Sequence, residues 1–360
     1  MKLKKTLCCL LASAIICVPL ASGCSNEKNN KTESSLTNSN VTSDQDSVQP
    51  GADNSTPQKT LSQSKITPAM WKVENKNGNY IYMFGTIHAA DGDASVMPDY
   101  FESAYNDSQA IAVEADVSDM INDPTLTAGL MKYIMYTDGT TIRDHISAEI
   151  YDGVSTVLKN NSSMYIEQAY DVMTPMAWSS ALESAVVEKC GLDVKNGIDL
   201  VTTNRAKNDA KEVLEVESVE SQMEMFERLS DNVGELMLMS YTSQEDFDKQ
   251  VEQMKKLYGD WKAGSAIAEE EINPEILEDV DEETKKALEY YNDEMLLKRN
   301  PKMADKAEQY LSEGKKVLFM VGAAHFYGDN GLINLMQTRG YTVTRISPEI
   351  TEQASLPAAA

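Results

Sequence analysis

Two apolar runs near opposite ends of this chain finish in the same way. Tyr80-Ile81-Tyr82-Met83-Phe84 leads into Gly85-Thr86-Ile87-His88, and the run from Lys316 to Val321 leads into Gly322-Ala323-Ala324-His325. Each is a strand-like segment followed by Gly-x-x-His. With 3 histidines and 18 glycines in 360 residues, the pairing has roughly a one-in-a-hundred chance of arising from composition, which lifts it above ordinary motif coincidence. The constraint on folding is strong. Gly85 and Gly322 are expected to let the chain turn sharply off each strand and to leave room beside the backbone. In open α/β sheets, ligands bind outside the carboxyl ends of strands. His88 and His325 are therefore expected to face one cleft from different strands.

The rest of the pattern supports an α/β chain. Trp71–Glu74 and Tyr80–Phe84 flank Asn77-Gly78, a strong hairpin signal. Pro98 opens a short helix. Ala110–Val113 reads as a buried strand ending at Glu114, and Glu212–Val216 as a strand ending at Glu217. Residues 118–195 read mostly as helices, and Gly197-Ile198-Asp199 opens another. From 219 to 313 the pattern is helical again, with Met223, Met225, Phe226, Leu229, Met237 and Met239 as core positions. A helix from Gly331 to Thr338 stops at Arg339-Gly340, before a last strand, Tyr341–Ile346. Strands alternating with helices imply one α/β domain over residues 66–347. Residues 219–313 read as a large helical insertion forming a lid or lobe. The acidic stretch Glu269–Glu294 lacks the spacing and glycine of a calcium loop and reads as a solvated helical face.

Four strand ends thus carry His88, Glu114, Glu217 and His325. Two imidazoles with one or two carboxylates make an N/O site for zinc, manganese, cobalt or iron. Such an ion polarises a carbonyl and acidifies its water, and a second carboxylate can take the proton. No nucleophile competes: Gly-x-Ser-x-Gly is absent, and Cys190 stands alone in a helical setting. His145 lacks the glycine frame and reads as structural.

The amino terminus reads as a targeting segment. Lys2, Lys4 and Lys5 precede an apolar run from Leu7 to Leu20 that closes on Ala21-Ser22-Gly23-Cys24, a lipobox-like sequence. Residues 1–23 are expected to be removed and Cys24 to carry lipid. Residues 24–65 are polar and read as a flexible tether, and 348–360 as a loose tail. Cys190 is then the one remaining thiol, so the mature chain would hold neither an intramolecular disulfide nor a cysteine metal cluster. The net charge of -25 becomes about -28 once the three signal lysines are gone. That charge repels nucleic acid and suits a domain held off the outer face of the cell membrane by its lipid anchor.

The blocks around these residues resemble the TraB/PrgY/GumN family in sequence and order. They are Gly85-Thr86-Ile87-His88 with Met97-Pro98 and Ala112-Val113-Glu114; Gly197-Ile198-Asp199 and Glu217-Ser218-Val219-Glu220-Ser221-Gln222; then Arg299-Asn300 and Val321-Gly322-Ala323-Ala324-His325 with Gly340-Tyr341. The family includes the Tiki proteins, regarded as metal-dependent proteases of secreted signalling proteins, and bacterial members that block peptide pheromones. The resemblance implies an erythromycin esterase/ChaN-like mixed sheet with a strand-end cleft. It implies a site of His88, Glu114 and His325, with Glu217 and Arg299 nearby. The expected function is a metal-dependent hydrolase, using manganese, cobalt or zinc, that cleaves a peptide or protein substrate. In that scheme Glu114 joins the histidines as ligand, Glu217 takes the water proton and Arg299 steadies the oxyanion or a substrate carboxylate, with the two glutamate roles interchangeable. The rival is a non-catalytic binder that sequesters a peptide pheromone or a haem-like ligand. The helical middle departs most freely from the family pattern, so specificity does not carry over.

The anchor is testable directly. Cys24→Ala should abolish incorporation of a metabolic fatty-acid label. Label persisting in the variant would show that the anchor lies elsewhere.

Overall fold

The strands place apolar residues alternately on two faces of one sheet. In the computed structural model, which describes residues 64–118, 124–266 and 281–346, these strands are β1 (Met70–Glu74), β2 (Tyr80–Thr86), β3 (Ala110–Val113), β4 (Glu212–Glu215), β5 (Val317–Gly322) and β6 (Thr342–Ile346). The signal segment, Cys24, nearly all of the tether, part of the acidic stretch and the tail lie outside the described residues. The sheet order is β4-β3-β5-β2-β1-β6. β4, β3, β5 and β2 run parallel, and β1 is antiparallel to both β2 and β6. The Asn77-Gly78 hairpin forms as expected. Gly78 takes φ 84°, and Asn75 Oδ1 accepts the backbone N–H groups of Asn77 and Asn79 at 2.9 and 3.0 Å.

Phe84, Ile111, Val113, Leu318 and Met320 pack on one face of the sheet. Ile81, Met83, Ala110, Ala112, Val317, Phe319 and Val321 pack on the other. β3 and β5 are buried on both faces, which is why they read as unbroken apolar runs rather than alternating ones.

The helices are α1 (Asp99–Asp107), α2 (Pro124–Ile134), α3 (Ala148–Asn161), α4 (Glu167–Tyr170), α5 (Pro175–Lys189), α6 (Ile198–Asn208), α7 (Val219–Met239), α8 (Gln244–Ala263), α9 (Glu282–Asn292), α10 (Asn300–Glu313) and α11 (Leu332–Thr338). Met303, Ala304 and Ala307 of α10 and Leu332 and Met336 of α11 cover the second face of the sheet. A thicker helical layer covers the first. There α7 packs against α2, α3, α5 and α9, while α8 packs against α5. The helical lobe therefore extends beyond 219–313, because helices preceding β4 share a core with those following it. α7 bends at Val233 (φ -139°, ψ 26°), and a Cβ on the next residue, Gly234, would stand 2.7 Å from Pro175 Cγ. The close approach of α5 explains the glycine. The methionines of α7 are core, as their spacing suggested: Met223, Met225 and Met237 are buried.

The parallel strands end on the same edge of the sheet, and α6 starts against that edge. Ile198 N donates to Ile87 O at 2.9 Å, and a Cβ on Gly197 would lie 2.3 Å from His88 O. Gly197→Ala must therefore push α6 away from the His88 turn. The expected cost is about 1–3 kcal/mol, the usual range for overpacking, read as a lowered urea midpoint with an unchanged slope. An unchanged midpoint would show that this contact is not tight in solution.

Candidate active site at the strand ends

Parallel pairing brings the four sequence-selected groups to one edge. His88 follows β2, Glu114 follows β3, Glu217 follows β4 and His325 follows β5, with β5 between β2 and β3. A close approach explains Gly85, whereas at Gly322 neither a clash nor a sharp turn demands glycine. Gly322 has φ -49° and ψ 137°, a conformation open to other residues. A Cβ there would stand 3.4 Å from Glu114 Oε2, 3.6 Å from His325 Cδ2 and 3.9 Å from His88 Nε2, in the centre of the cluster. A Cβ on Gly85 would meet Ala323 Cα and Cβ, each at 3.0 Å. The two Gly-x-x-His turns are thus packed on one another.

Each imidazole is held by its Nδ1. His88 Nδ1 lies 2.8 Å from Asp199 Oδ2, in the first turn of α6. His325 Nδ1 lies 2.6 Å from Asn300 Oδ1, at the start of α10. Asn300 Nδ2 donates to Asn330 O at 2.9 Å, which fixes the amide with its oxygen toward the ring. Both oxygens are acceptors, so both Nδ1 atoms carry hydrogen and both Nε2 atoms turn to the cleft. Asp199 and Asn300 lie within the family blocks, but the sequence assigns them no role because their partners are remote in the chain.

The carboxylates are held by Arg299, which is 7% exposed. Its Nη2 donates to Glu114 Oε1 and, at 2.7 Å, to Glu217 Oε2. Its Nε donates to both oxygens of Glu217 at 3.0 and 3.1 Å. Gln222 Nε2 bridges the two carboxylates, 2.9 Å from Glu114 Oε1 and 3.2 Å from Glu217 Oε2. The backbone N–H of Gly322 donates to Glu114 Oε2 at 2.9 Å, and that oxygen lies 3.8 Å from His325 Nε2.

These contacts set the ionisation of the cluster. Burial works against the proton on His88, but the Asp199 and Glu114 carboxylates outweigh it and raise its pKa to about 9. Burial and the Arg299 charge push His325 down to about 3, so its ring is neutral at physiological pH. Burial would raise Glu114, yet Arg299 and the two imidazoles hold it well below the usual carboxylate range. A further buried acid stands in the helical layer: burial pushes Glu183 up to about 8, with Ser179 Oγ 3.3 Å from its Oε1. Its Oε2, Tyr291 Oη, Asp199 Oδ1 and Thr86 Oγ1 are buried without a hydrogen-bond partner. Glu183 escaped the sequence reading because nothing in a helical pattern marks a buried acid.

The cluster opens into a cleft whose lining includes His88, Glu114, Arg299 and His325. Glu217 is not among the lining residues. His145 stands apart, stacked on Tyr136 with ring centroids 4.1 Å apart and bonded to Thr140, in keeping with a structural role. Cys190 is half-buried, with Sγ 3.4 Å from Val251 O. Among the described residues, no three His, Cys, Asp or Glu side chains form a ready-made ion site. The donor chemistry nevertheless fits a divalent cation. His88 Nε2, the His325 ring and an ionised carboxylate oxygen surround Gly322, and each ring is oriented by a second partner, as metal-binding histidines usually are.

Comparison with known proteins agrees with the block order. The TraB/PrgY/gumN family model matches residues 69–345. The chain is 21% identical over 345 residues to a protein named metalloprotease TIKI homolog from Nematostella vectensis, covering 82% of this chain and 70% of the relative. It is 22% identical over 322 residues to metalloprotease TIKI1 of Danio rerio, covering 78% and 63%. It is 23% identical over 340 residues to metalloprotease TIKI2 of Xenopus tropicalis, covering 82% and 63%. The matches thus span about two thirds of these relatives' own lengths. No solved structure matches the chain.

Arg299 holds the cluster together electrostatically. Arg299→Met should leave Glu114 and Glu217 facing one another without their cation, costing about 3–5 kcal/mol in urea unfolding at pH 7. Adding Glu217→Gln should recover part of that loss. Wild-type stability in the single variant would refute this account of the cluster.

Proposed function

The chain belongs to the TraB/PrgY/gumN family, and from that premise we propose that it is a metal-dependent hydrolase of peptide bonds, held at the outer face of the cell membrane by lipid on Cys24. The observation that carries the reading is the convergence of His88 Nε2, the His325 ring and Glu114 Oε2 around Gly322, with His325 Nε2 3.8 Å from Glu114 Oε2. The names of the TIKI relatives support it, as does the absence of a partnered Ser or Cys nucleophile from the strand-end cluster. The strand-end cleft also supports the erythromycin esterase/ChaN-like arrangement that the family implies.

His88 and His325 would hold the ion, with Glu114 Oε2 as the third donor. A bound manganese, cobalt or zinc ion would polarise the scissile carbonyl and acidify water. Asp199 and Asn300 accept from Nδ1 of each ring and so leave Nε2 toward the cleft, where on His88 a bound ion would take the place of the Nε2 proton. Glu114 is the carboxylate that lines the cleft, so we assign it the contact with the ion. Glu217 spends both oxygens on Arg299 and acts as its positioning residue. Arg299, with Nη1 donating to Met295 O at 3.0 Å, holds Glu114 in place.

The test combines metal analysis with peptide cleavage. Wild type should bind one divalent ion and cleave peptides until a chelator is added. His88→Ala and His325→Ala should each lose the ion, while His145→Ala keeps it. Glu114→Gln should weaken ion binding about tenfold or more, and turnover with it. If wild type cleaves nothing with manganese, cobalt or zinc yet binds a peptide or porphyrin tightly, the protein is a sequestering binder and the hydrolase reading fails.

A further inference from the structure

The cleft lining is of two chemical kinds. Besides His88, Glu114, Arg299 and His325 it includes Met254 and Leu257 of α8 with Met295 and Leu296 of the turn before α10. The hydrolytic scheme uses none of these four side chains. Val251, Met254, Tyr258 and Trp261 form the buried stripe of α8. Leu257 sits one helical turn beyond Met254, at the edge of that stripe, and is half-buried where it meets the cleft.

The second pair is brought there by a break in helix geometry. Asp293–Leu297 forms a π turn: Lys298 N donates to Asp293 O at 2.9 Å, five residues back. Arg299 N then bonds Leu296 O at 3.0 Å instead of Met295 O. Met295 O, released from the helical ladder, accepts Arg299 Nη1 at 3.0 Å. One extra residue in a turn rotates everything after it by roughly 100° relative to a regular helix. The same irregularity therefore sets Arg299 between the carboxylates and Met295 and Leu296 on the cleft wall. Single π turns inside helices occur mostly at functional sites.

From these two observations we propose that Met254, Leu257, Met295 and Leu296 form a specificity pocket for a long apolar side chain, of the Leu, Met or Phe class, on the peptide held at the His88–His325 site. The proposal deepens the peptide-hydrolase reading and rests on it for the identity of the ligand as a peptide. These four side chains offer no hydrogen-bonding nitrogen or oxygen, so a charged or amide side chain placed against them would be stripped of water without compensation. Methionine is unbranched and polarisable and adjusts to side chains of different shape. The pocket thus selects for apolar length rather than for one residue. All four lie in the helical stretch between the family blocks that end at Gln222 and begin at Arg299, where the sequence departs most from the family pattern and where substrate preference would diverge.

The probes are blocked nonapeptides of Gly, Ser and Ala with one central Leu, Met, Phe, Asp or Lys and a fluorescein label. Each is incubated with the full-length chain, metal-loaded and metal-free. Fluorescence anisotropy reads binding and mass spectrometry reads the bond cut. The Leu, Met and Phe peptides should bind about tenfold or more tightly than the Asp and Lys peptides, the discrimination typical of an apolar pocket. Any cut should fall beside the central residue. Leu257→Asp should erase the preference, and Leu257→Met should keep it, which separates loss of the pocket from loss of the fold. Cleavage without preference for the central residue would overturn the pocket and leave the hydrolase reading standing. Selective binding that Leu257→Asp abolishes, with no cleavage under any metal, would uphold the pocket and overturn the hydrolase reading. Absence of selective binding, or a preference that survives Leu257→Asp, overturns the pocket.

Discussion

A buried arginine between two carboxylates is the interaction on which this site depends. Glu114 and Glu217 come from neighbouring parallel strands and would repel one another across a dry interface. Arg299 enters from the start of α10 and pairs with both, and Gln222 from α7 bridges them. Removing the guanidinium leaves two buried carboxylates without their cation, which is costlier than never having buried the set. The cluster thus ties the sheet edge to both helical layers. It also holds Glu114 ionised, with one oxygen on Arg299 and the other facing His325.

The sheet supplies the precision and the helices supply the variety. Parallel strands buried on both faces have little freedom to slip, since a one-residue shift would exchange the contents of the two cores. Their carboxyl ends therefore place His88, Glu114 and His325 on a rigid edge. The apolar lining comes from α8 and from a π turn, elements of a helical layer whose sequence can change without disturbing the sheet. A fixed reactive edge beneath a variable apolar wall lets one architecture serve different ligands.

Much of this was legible in the chain. The Asn77-Gly78 hairpin, the strands ending at Glu114 and Glu217, the helix opened by Gly197 and the stop at Arg339-Gly340 are local signals, and they stand where their residues suggested. The grouping of the two Gly-x-x-His turns was legible because a strand end has few directions in which to project a side chain. The reason for the glycines was only half legible: room beside the backbone is required at Gly85, but neither room nor an unusual backbone angle is required at Gly322. Asp199, Asn300 and Gln222 gave no signal of their own, since each acts through a partner distant in sequence. Glu183 gave none either, because burial is a property of what surrounds a residue.

The sequence by itself determined the class of the fold, the strand ends that bear chemistry and the donor types available for a metal. Those follow from short-range rules: side-chain period, turn preference and the chemistry of imidazole and carboxylate. The tertiary structure alone decided which carboxylate lines the cleft and which one braces Arg299. It also decided which nitrogen of each histidine is free and which apolar residues line the cleft. Those outcomes depend on strand order, on a helix start packed against a remote turn and on one extra residue in a π turn. Each is settled by packing between segments far apart in the chain, where burial makes a single misplaced charge or Cβ too costly to keep.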